Sequence, residues 1–268
     1  MAVLIKGEAF KVQSHQRGRD MGVAGLEGQR IAVASQHAFV LAPLLTDCGY
    51  EGVDLFLDTY RMEAPELVPQ LTRWYGPWLR NITLYAPDPL GSGLRGLNTD
   101  NLERALADDS PYEAALLMRP DLILKPLFSA VLASANRSQL LFTFREWKIE
   151  DGYEKWPGVP RVADMVMWVP RWAFSVVRQD PNGFINNHNA VWVANQRFNV
   201  SVADTGLLLP HEQYDADPAK SGNPLYTLAE RPELPVQRPV PHDTAPPTAM
   251  DAVLAAAGLV AHHDSAHA

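Results

Sequence analysis

The chain has 268 residues, which is long enough for one large α/β domain or for two smaller domains. Apolar residues make up 47% of the sequence and charged residues 20%, so the composition excludes a disordered chain, a collagen and a coiled coil. Asp and Glu number 31 against 23 Lys and Arg, and no basic block occurs, so we expect no nucleic-acid partner.

The sequence also contains features that predict the cellular compartment of the protein. It contains neither a signal-peptide core nor a run of about 18 apolar residues, so we expect no transmembrane segment. Cys48 is the single cysteine, which excludes an internal disulfide and a Cys-x-x-Cys zinc site. These features together predict a protein of the reducing cytoplasm.

Apolar runs and helical spacing alternate along the chain up to residue 169. The runs predict strands at 3–5, 53–58, 81–85, 114–118, 139–144 and 165–169. Apolar residues spaced three to four apart predict helices at 29–45, 65–75, 99–107 and 127–134. Because helices connect parallel strands, this alternation predicts an α/β fold with a mostly parallel sheet flanked by helices.

The composition changes past Pro210. Residues 231–247 carry many prolines and little apolar surface, so they cannot offset the entropy lost on ordering. Residues 249–260 are compatible with a short amphipathic helix. We therefore divide the chain into one α/β domain at 1–230 and an irregular, partly disordered tail at 231–268.

The segment Arg119-Pro120-Asp121 follows the buried strand 114–118 directly. Ligands bind beyond the carboxyl ends of parallel strands, so this segment is a candidate site. Asp121 offers oxygen ligands for a Mg or Mn ion that bridges a diphosphate, and Arg119 with Lys125 offsets the remaining charge. The alternative is that Asp121 caps a helix at 122–128.

Asp164 interrupts an otherwise apolar stretch beside the strand 165–169. A carboxylate in such surroundings needs a partner. It is either a general base that accepts a proton from an attacking hydroxyl, or a structural partner of Arg161 or Arg171.

A glycine-rich run and two histidines are further candidates. Residues 91–96 read Gly-Ser-Gly-Leu-Arg-Gly, which suits a phosphate loop or a plain loop, since neither a Rossmann nor a P-loop context surrounds it. His188 and His211 lie in polar late segments. Each is either a metal or substrate ligand or an ordinary hydrogen-bonded histidine.

A literal Asp-x-Asp occurs late in the chain, at Asp215 and Asp217. No buried strand is predicted to lead into it, which argues against a central metal site. We expect instead a substrate loop that closes over the site, formed by His211, Asp215, Asp217, Asn223 and Tyr226.

Three segments together resemble the GT-A-type nucleotide-sugar glycosyltransferases, in particular bacterial and viral ones without a strict Asp-x-Asp. They are the strand at 53–60 that ends in Thr-Tyr, the strand and Arg-Pro-Asp at 112–125, and the Asp-Met strand and Pro-Arg at 161–174. The resemblance spans roughly residues 3–230 and implies a Rossmann-like GT-A fold. It implies transfer of a sugar from a nucleoside diphosphate sugar to a hydroxyl or amine of a small molecule or glycan.

The resemblance also implies roles for individual residues. Those that would approach the nucleotide or diphosphate are Lys6, Gly7, Thr59, Tyr60, Arg61, Arg119 and Lys125. Asp121 would hold a Mn or Mg ion, Asp164 and His188 would act on the acceptor, and no organic cofactor is implied. Where the family motif has two acids this chain has Arg119 and Asp121, so a metal-free variant could use Arg119 and Lys125 as the counter-charge.

Two other function classes fit the same segments. One is a different α/β transferase or hydrolase that acts on a phosphorylated small molecule. The other is a non-catalytic binding module that docks through residues 236–268. Melting temperatures measured with nucleotides, with and without manganese, would separate these classes, because a ligand of the folded state raises its stability.

Overall fold

The computed structural model describes residues 1–7, 9, 25–60, 67–85, 99–146, 161–185, 187–214 and 222–229, with the backbone alone for Tyr60 and 211–214. The described strands are β1 (Ala2–Lys6), β2 (Asp54–Tyr60), β3 (Leu79–Tyr85), β4 (Ala114–Met118), β5 (Leu122–Leu124), β6 (Leu140–Glu146), β7 (Val166–Pro170), β8 (Thr205–Tyr214) and β9 (Tyr226–Leu228). The described α-helices are α1 (Leu26–Gln36), α2 (Ala42–Thr46), α3 (Leu67–Tyr75), α4 (Asp100–Ala105), α5 (Pro126–Ser134), α6 (Phe174–Gln179), α7 (Pro181–Phe184) and α8 (Ala190–Phe198). None of these helices is both long and apolar enough to cross a membrane.

Seven strands form one mixed sheet in the order β3-β2-β1-β4-β7-β6-β8. Strands β1 to β4 run parallel to one another, and β8 runs parallel to β6. Strand β7 is antiparallel to both of its neighbours, β4 and β6. The predicted α/β fold with a mostly parallel sheet is confirmed.

Helices cover both faces of this sheet. In β1, Val3 and Ile5 contact the core that includes α1, α2, α3 and α5, whereas Ala2 and Leu4 contact the core that includes α4, α6, α7 and α8. Successive side chains of a strand point to opposite faces, so a strand covered on both faces is apolar at every position. This is why short continuous apolar runs predicted β1 and β4.

The predicted helix at 29–45 is confirmed, with one irregular turn in it. Between α1 and α2 the residues His37–Leu41 form a π-helical turn, in which the N–H of Ala42 donates to the carbonyl of His37. Pro43 follows at the start of α2 and has no N–H to donate, which interrupts the regular ladder at this point.

The alternative interpretation of Asp121 as a helix cap was wrong. Residues Leu122–Leu124 form β5, paired antiparallel with β9, and α5 begins only at Pro126. Asp121 therefore does not cap a helix at 122–128. Strand β8, which was not predicted, ends directly before Asp215; Leu208 is the only buried residue among those of its residues whose side chains are described. Strands held by distant partners leave a weak local signal.

The topology brings six strand ends to one edge of the sheet. Strands β1, β2, β3, β4, β6 and β8 all end at this edge, and β7 begins there. Polar residues at or beside these ends therefore come together from distant parts of the chain. Arg61, residues 91–96, Asp215, Asp217 and the tail at 231–268 lie outside the described residues.

Candidate functional site: a pocket at the carboxyl edge of the sheet

A pocket opens at this edge, where the parallel strands meet β7. Its non-atom space, including the open mouth, is about 400 Å³. Its polar lining comes from Lys6 at the end of β1, Arg119 after β4, Asp164 before β7, and Asn187. Apolar side chains such as Phe142 complete the wall. A mostly apolar concavity with a few convergent polar groups is the usual form of a small-molecule site.

Lys6 brings a buried positive group to the pocket. The residue is 4% exposed, and its Nζ has no hydrogen-bond partner among the described residues. Burial lowers the pKa of Lys6, although Asp58, its register neighbour on β2, opposes that shift. Because an unpartnered buried ammonium is costly, the group is suited to an anionic ligand.

Arg119 supplies a second cation, held in a fixed orientation. Its Nε lies 2.9 Å from Oδ1 of Asp121 and its Nη2 lies 2.5 Å from Oδ2, and both side chains are largely buried. Burial alone would lower the pKa of Arg119, but the Asp121 carboxylate outweighs it and the pKa is raised. A bidentate pair of this kind fixes the plane of the guanidinium.

Two glutamines of α1 hold the turn that carries this pair. The side-chain amides of Gln29 and Gln36 both donate to the carbonyl of Pro120, at 3.0 and 3.1 Å. On the other side, a Cβ at Gly7 would lie 3.1 Å from the ring of Pro120. Gly7 has φ of 139°, which favours glycine, so the chain passes close to the turn without a side chain.

The two carboxylate oxygens of Asp164 have different surroundings among the described residues. Oδ2 lies 3.8 Å from Nε2 of His188, whereas Oδ1 is buried without a hydrogen-bond partner among the described residues. The proposed structural partners are engaged elsewhere, since Arg161 pairs with Glu146 and Arg171 donates to backbone carbonyls. Asp164 is therefore not the partner of either arginine.

His188 lies between two carboxylates. Its Nδ1 is 2.9 Å from Oε2 of Glu146, on the opposite side of the ring from Asp164. Burial lowers the pKa of His188, but the hydrogen bond to Glu146 and the charge of Asp164 outweigh burial, and the net pKa is raised. Burial raises the pKa of Glu146, yet His188 and Arg161 outweigh it and the net pKa is lowered.

A buried acid on β2 flanks Lys6. Asp58 is 1% exposed and accepts a hydrogen bond of 2.6 Å from the side chain of Asn101. Burial is the main reason that the pKa of Asp58 rises to about 6, despite the nearby Lys6. The next residue, Thr59, is also buried and accepts from the N–H of Ala9 at 3.1 Å, which joins the chain after β1 to β2.

Three other predicted residues, Lys125, Asn223 and Tyr226, lie outside this pocket lining. Lys125 donates to the carbonyl of Asn223 at 2.7 Å, and Tyr226 stacks on Phe144 with ring centroids 6.1 Å apart. The first contact lies beside the β5–β9 pairing, and the second joins β9 to β6. His211 and Tyr226 lie in strands β8 and β9 rather than in a loop, because both segments pair with distant strands.

Glu146, Asp58 and Asn101 were missed by sequence reasoning. Asp58 had a usable signal, because it is an acid at the end of a run of buried strand residues. Glu146 lies only two residues beyond the predicted strand 139–144. Asn101 had no such signal, since its role depends on α4 being placed against β2 and β3.

The described residues do not fit a divalent cation at Asp121. Both carboxylate oxygens already accept hydrogen bonds from Arg119, so a metal would have to displace a buried guanidinium. Within the described ranges, no three His, Cys, Asp or Glu side chains gather in a way that would hold a metal ion.

Comparison with known proteins adds distant structural neighbours. No protein-family model and no curated protein matches the chain. The glycosyltransferase GlyE of Streptococcus pneumoniae is 10% identical over 77% of this chain and 44% of its own, with a TM-score of 0.35. The galactosyltransferase LgtC, solved with donor and acceptor sugar analogues, is 10% identical over 82% of this chain and 88% of its own, with a TM-score of 0.40.

A third neighbour has a different named activity. A cytidylyltransferase from Leptospira borgpetersenii is 9% identical over 79% of this chain and 76% of its own, with a TM-score of 0.40. This chain thus spans less than half the length of GlyE and most of the length of the other two. Likenesses this distant assign no activity to this chain.

Proposed function

We propose that the chain transfers a sugar from a nucleoside diphosphate sugar to a hydroxyl or amine acceptor in this pocket. One observation carries the proposal: Lys6 and Asp164 line the same cavity, and each has a buried side-chain atom, Nζ and Oδ1, without a hydrogen-bond partner among the described residues. The ammonium of Lys6 donates hydrogen bonds and needs an acceptor, whereas the carboxylate oxygen of Asp164 accepts a hydrogen bond from a donor. Phosphate oxygens would accept from Lys6, and a hydroxyl group would donate to Asp164. A phosphorylated sugar together with its acceptor supplies both of these groups.

Lys6 and Arg119 would act on the leaving group. As the bond between the anomeric carbon and the diphosphate oxygen breaks, its electron pair leaves with the diphosphate and negative charge grows there. Fixed cations at the site of developing charge stabilise that transition state. Arg119 is suited to this role because Asp121 already holds its guanidinium in place.

Asp164 would act on the acceptor. The acceptor oxygen or nitrogen bonds to the anomeric carbon and loses a proton, which Oδ1 of Asp164 takes up. A general base must reach the proton that it abstracts; Asp164 lines the pocket, and its Oδ1 has no competing hydrogen-bond partner in the part of the chain that the structure describes.

The cations already in the pocket make a divalent ion unnecessary in this scheme. Lys6 and Arg119 together carry two positive charges at the lining, and the oxygens of Asp121 are engaged with Arg119. We propose that transfer proceeds without Mn or Mg.

Calorimetry and product analysis test the proposal. Nucleoside diphosphates with each of the common bases are titrated into the chain, in EDTA and in manganese. We expect binding in EDTA, and a loss of about 10- to 100-fold in affinity in Lys6→Met, because a hydrogen bond to a charged group contributes about 1.5–3 kcal/mol. Arg197→Met is the control, since it removes one charge from an exposed residue of α8.

Mass spectrometry then follows the nucleotide sugars whose nucleotides bind. Release of a nucleoside diphosphate together with a glycosylated acceptor supports transfer. Binding of inorganic phosphate without nucleotide binding would favour the hydrolase class, and an absolute requirement for manganese would contradict the metal-free scheme.

A further inference from the structure

The ring of His188 connects Asp164 to an acid that does not line the pocket. Glu146, the last residue of β6, has a side chain only 7% exposed. Its Oε2 lies 2.9 Å from Nδ1 of His188, and the opposite ring nitrogen faces Oδ2 of Asp164 at 3.8 Å. Two carboxylates therefore approach one imidazole from opposite sides.

The backbone fixes the ring in this place. The carbonyl of His188 accepts from the N–H of Val162 at 2.8 Å, and Nδ1 of the ring also lies 3.3 Å from the carbonyl of Val162. Val162 in turn forms a β-bridge with Arg145, the residue before Glu146. These contacts hold the ring and the Glu146 carboxylate in one local frame.

We propose that Glu146 is a positioning residue that acts on Asp164 through His188; this inference rests on the function proposed above. With Nδ1 bound to Glu146, the ring presents Nε2 to Oδ2 of Asp164. A positive ring in this position compensates the charge of the largely buried Asp164 and engages Oδ2. Oδ1 is then the oxygen left to face the acceptor.

The charges around His188 allow a positioning role of Glu146 to be distinguished from a merely structural one. Glu146 also pairs with Arg161, so it could serve only to anchor that arginine. The ionisable groups that face this cluster from the surrounding elements are Glu146 on β6, Arg161 and Asp164 before β7, Arg119 after β4, and Tyr226 on β9. Glu146 raises the pKa of His188 whereas Arg161 lowers it. Removing the charge of Glu146 and removing the charge of Arg161 should therefore shift the pKa of His188 in opposite directions.

The test is an NMR titration of the histidine rings in the full chain. The signal of His188 is assigned by its absence in His188→Gln. We expect Glu146→Gln to lower the pKa of His188 by about one unit, Asp164→Asn to lower it as well, and Arg161→Met to raise it. Glu27→Gln is the matched control, because Glu27 is also paired with an arginine but is exposed on α1.

Turnover supplies the second readout. Glu146→Gln should lower kcat at least about tenfold and leave the KM for the nucleotide sugar within about twofold, because the change acts on the acceptor side. Melting temperatures confirm that each variant is folded. Arg161→Met retains the carboxylate of Glu146. If Glu146→Gln does not fold, the shift in the pKa of His188 in Arg161→Met still tests the proposal.

Each outcome decides the proposal. A pKa of His188 that does not move in Glu146→Gln overturns it, as does a shift in the same direction in Arg161→Met. A shifted pKa with unchanged kcat overturns the positioning role. If the wild-type chain transfers no sugar, the proposed function fails, and the titrations with Glu146→Gln and Asp164→Asn alone decide whether the three residues are coupled.

Discussion

The two oxygens of Asp164 have different surroundings, so substitution of this residue should affect turnover and nucleotide-sugar affinity differently. Asp164→Asn keeps the shape of the side chain but cannot take up a proton at the pocket. We expect single-turnover transfer to fall at least about 100-fold while nucleotide-sugar affinity changes little, because the carboxylate acts only on the acceptor. Calorimetry and rapid-quench kinetics measure the two quantities, and normal turnover in the folded variant would remove Asp164 from the mechanism.

Asp121 has a different role at the same scale. Its carboxylate is buried and bidentate with Arg119, so Asp121→Asn leaves a buried guanidinium without its counter-charge. We expect the free energy of unfolding in urea to fall by about 3–5 kcal/mol, the usual cost of breaking a buried pair.

Asp108→Asn is the control for that measurement. Asp108 pairs with Arg178 at an exposed position, so the same chemical change should cost less than about 1 kcal/mol there. A stable Asp121→Asn that instead loses a manganese-dependent activity would restore Asp121 as a metal ligand.

Among the elements, α1 supports the pocket from behind. Gln36 donates to the carbonyls of Pro120 and Leu122, and its Oε1 accepts from the hydroxyl of Tyr75 at 2.7 Å. Gln36→Met keeps the volume but leaves buried polar groups unsatisfied, at about 1–3 kcal/mol each. We expect a clear loss of stability in urea and weaker nucleotide binding, because the turn that carries Arg119 loses a support.

Gln196→Met is the control for Gln36→Met, because it removes a glutamine from a helix without removing buried hydrogen bonds. Gln196 is exposed on α8 and bonds only to its neighbour Asn195 among the described residues. We expect a change within about 0.5 kcal/mol for this surface position. Equal effects of the two substitutions would show that α1 does not hold the turn.

At the scale of the whole molecule, Asp58 couples the stability of the fold to pH. Its pKa is about 6 in the folded chain, mainly through burial, against an ordinary value of 3.8. The folded state therefore binds more protons than the unfolded state between these values, so this residue makes the chain more stable as pH falls through 6.

Urea unfolding of Asp58→Asn and of the wild type at pH 7.5 and pH 4.5 isolates this contribution. Relative to the variant, the wild type should gain about 2 kcal/mol of unfolding free energy on going to the lower pH. A difference that is the same at both pH values would show that Asp58 titrates alike in the folded and unfolded chains.

The elements that sequence reasoning found are those whose surroundings leave a local pattern. β4 was predicted at its observed bounds because both faces of the sheet are covered, which makes all five of its residues apolar. The helix across α1 and α2 showed helical spacing. β5, β8 and β9 were missed, because they depend on partners far along the chain and do not show that dependence in their own residues.

The sequence by itself determined the α/β class, the edge of the sheet where the polar groups gather, and Arg119 and Asp164 as candidates, because strand ends and acids in apolar runs are local features. Lys6 was a candidate only through the resemblance to a known family. Tertiary structure alone decided which groups meet: Arg119 with Asp121, and Glu146 with His188. Pairing of side chains depends on distances of a few ångström between strands that are far apart in the chain. Residue spacing carries no information at that resolution.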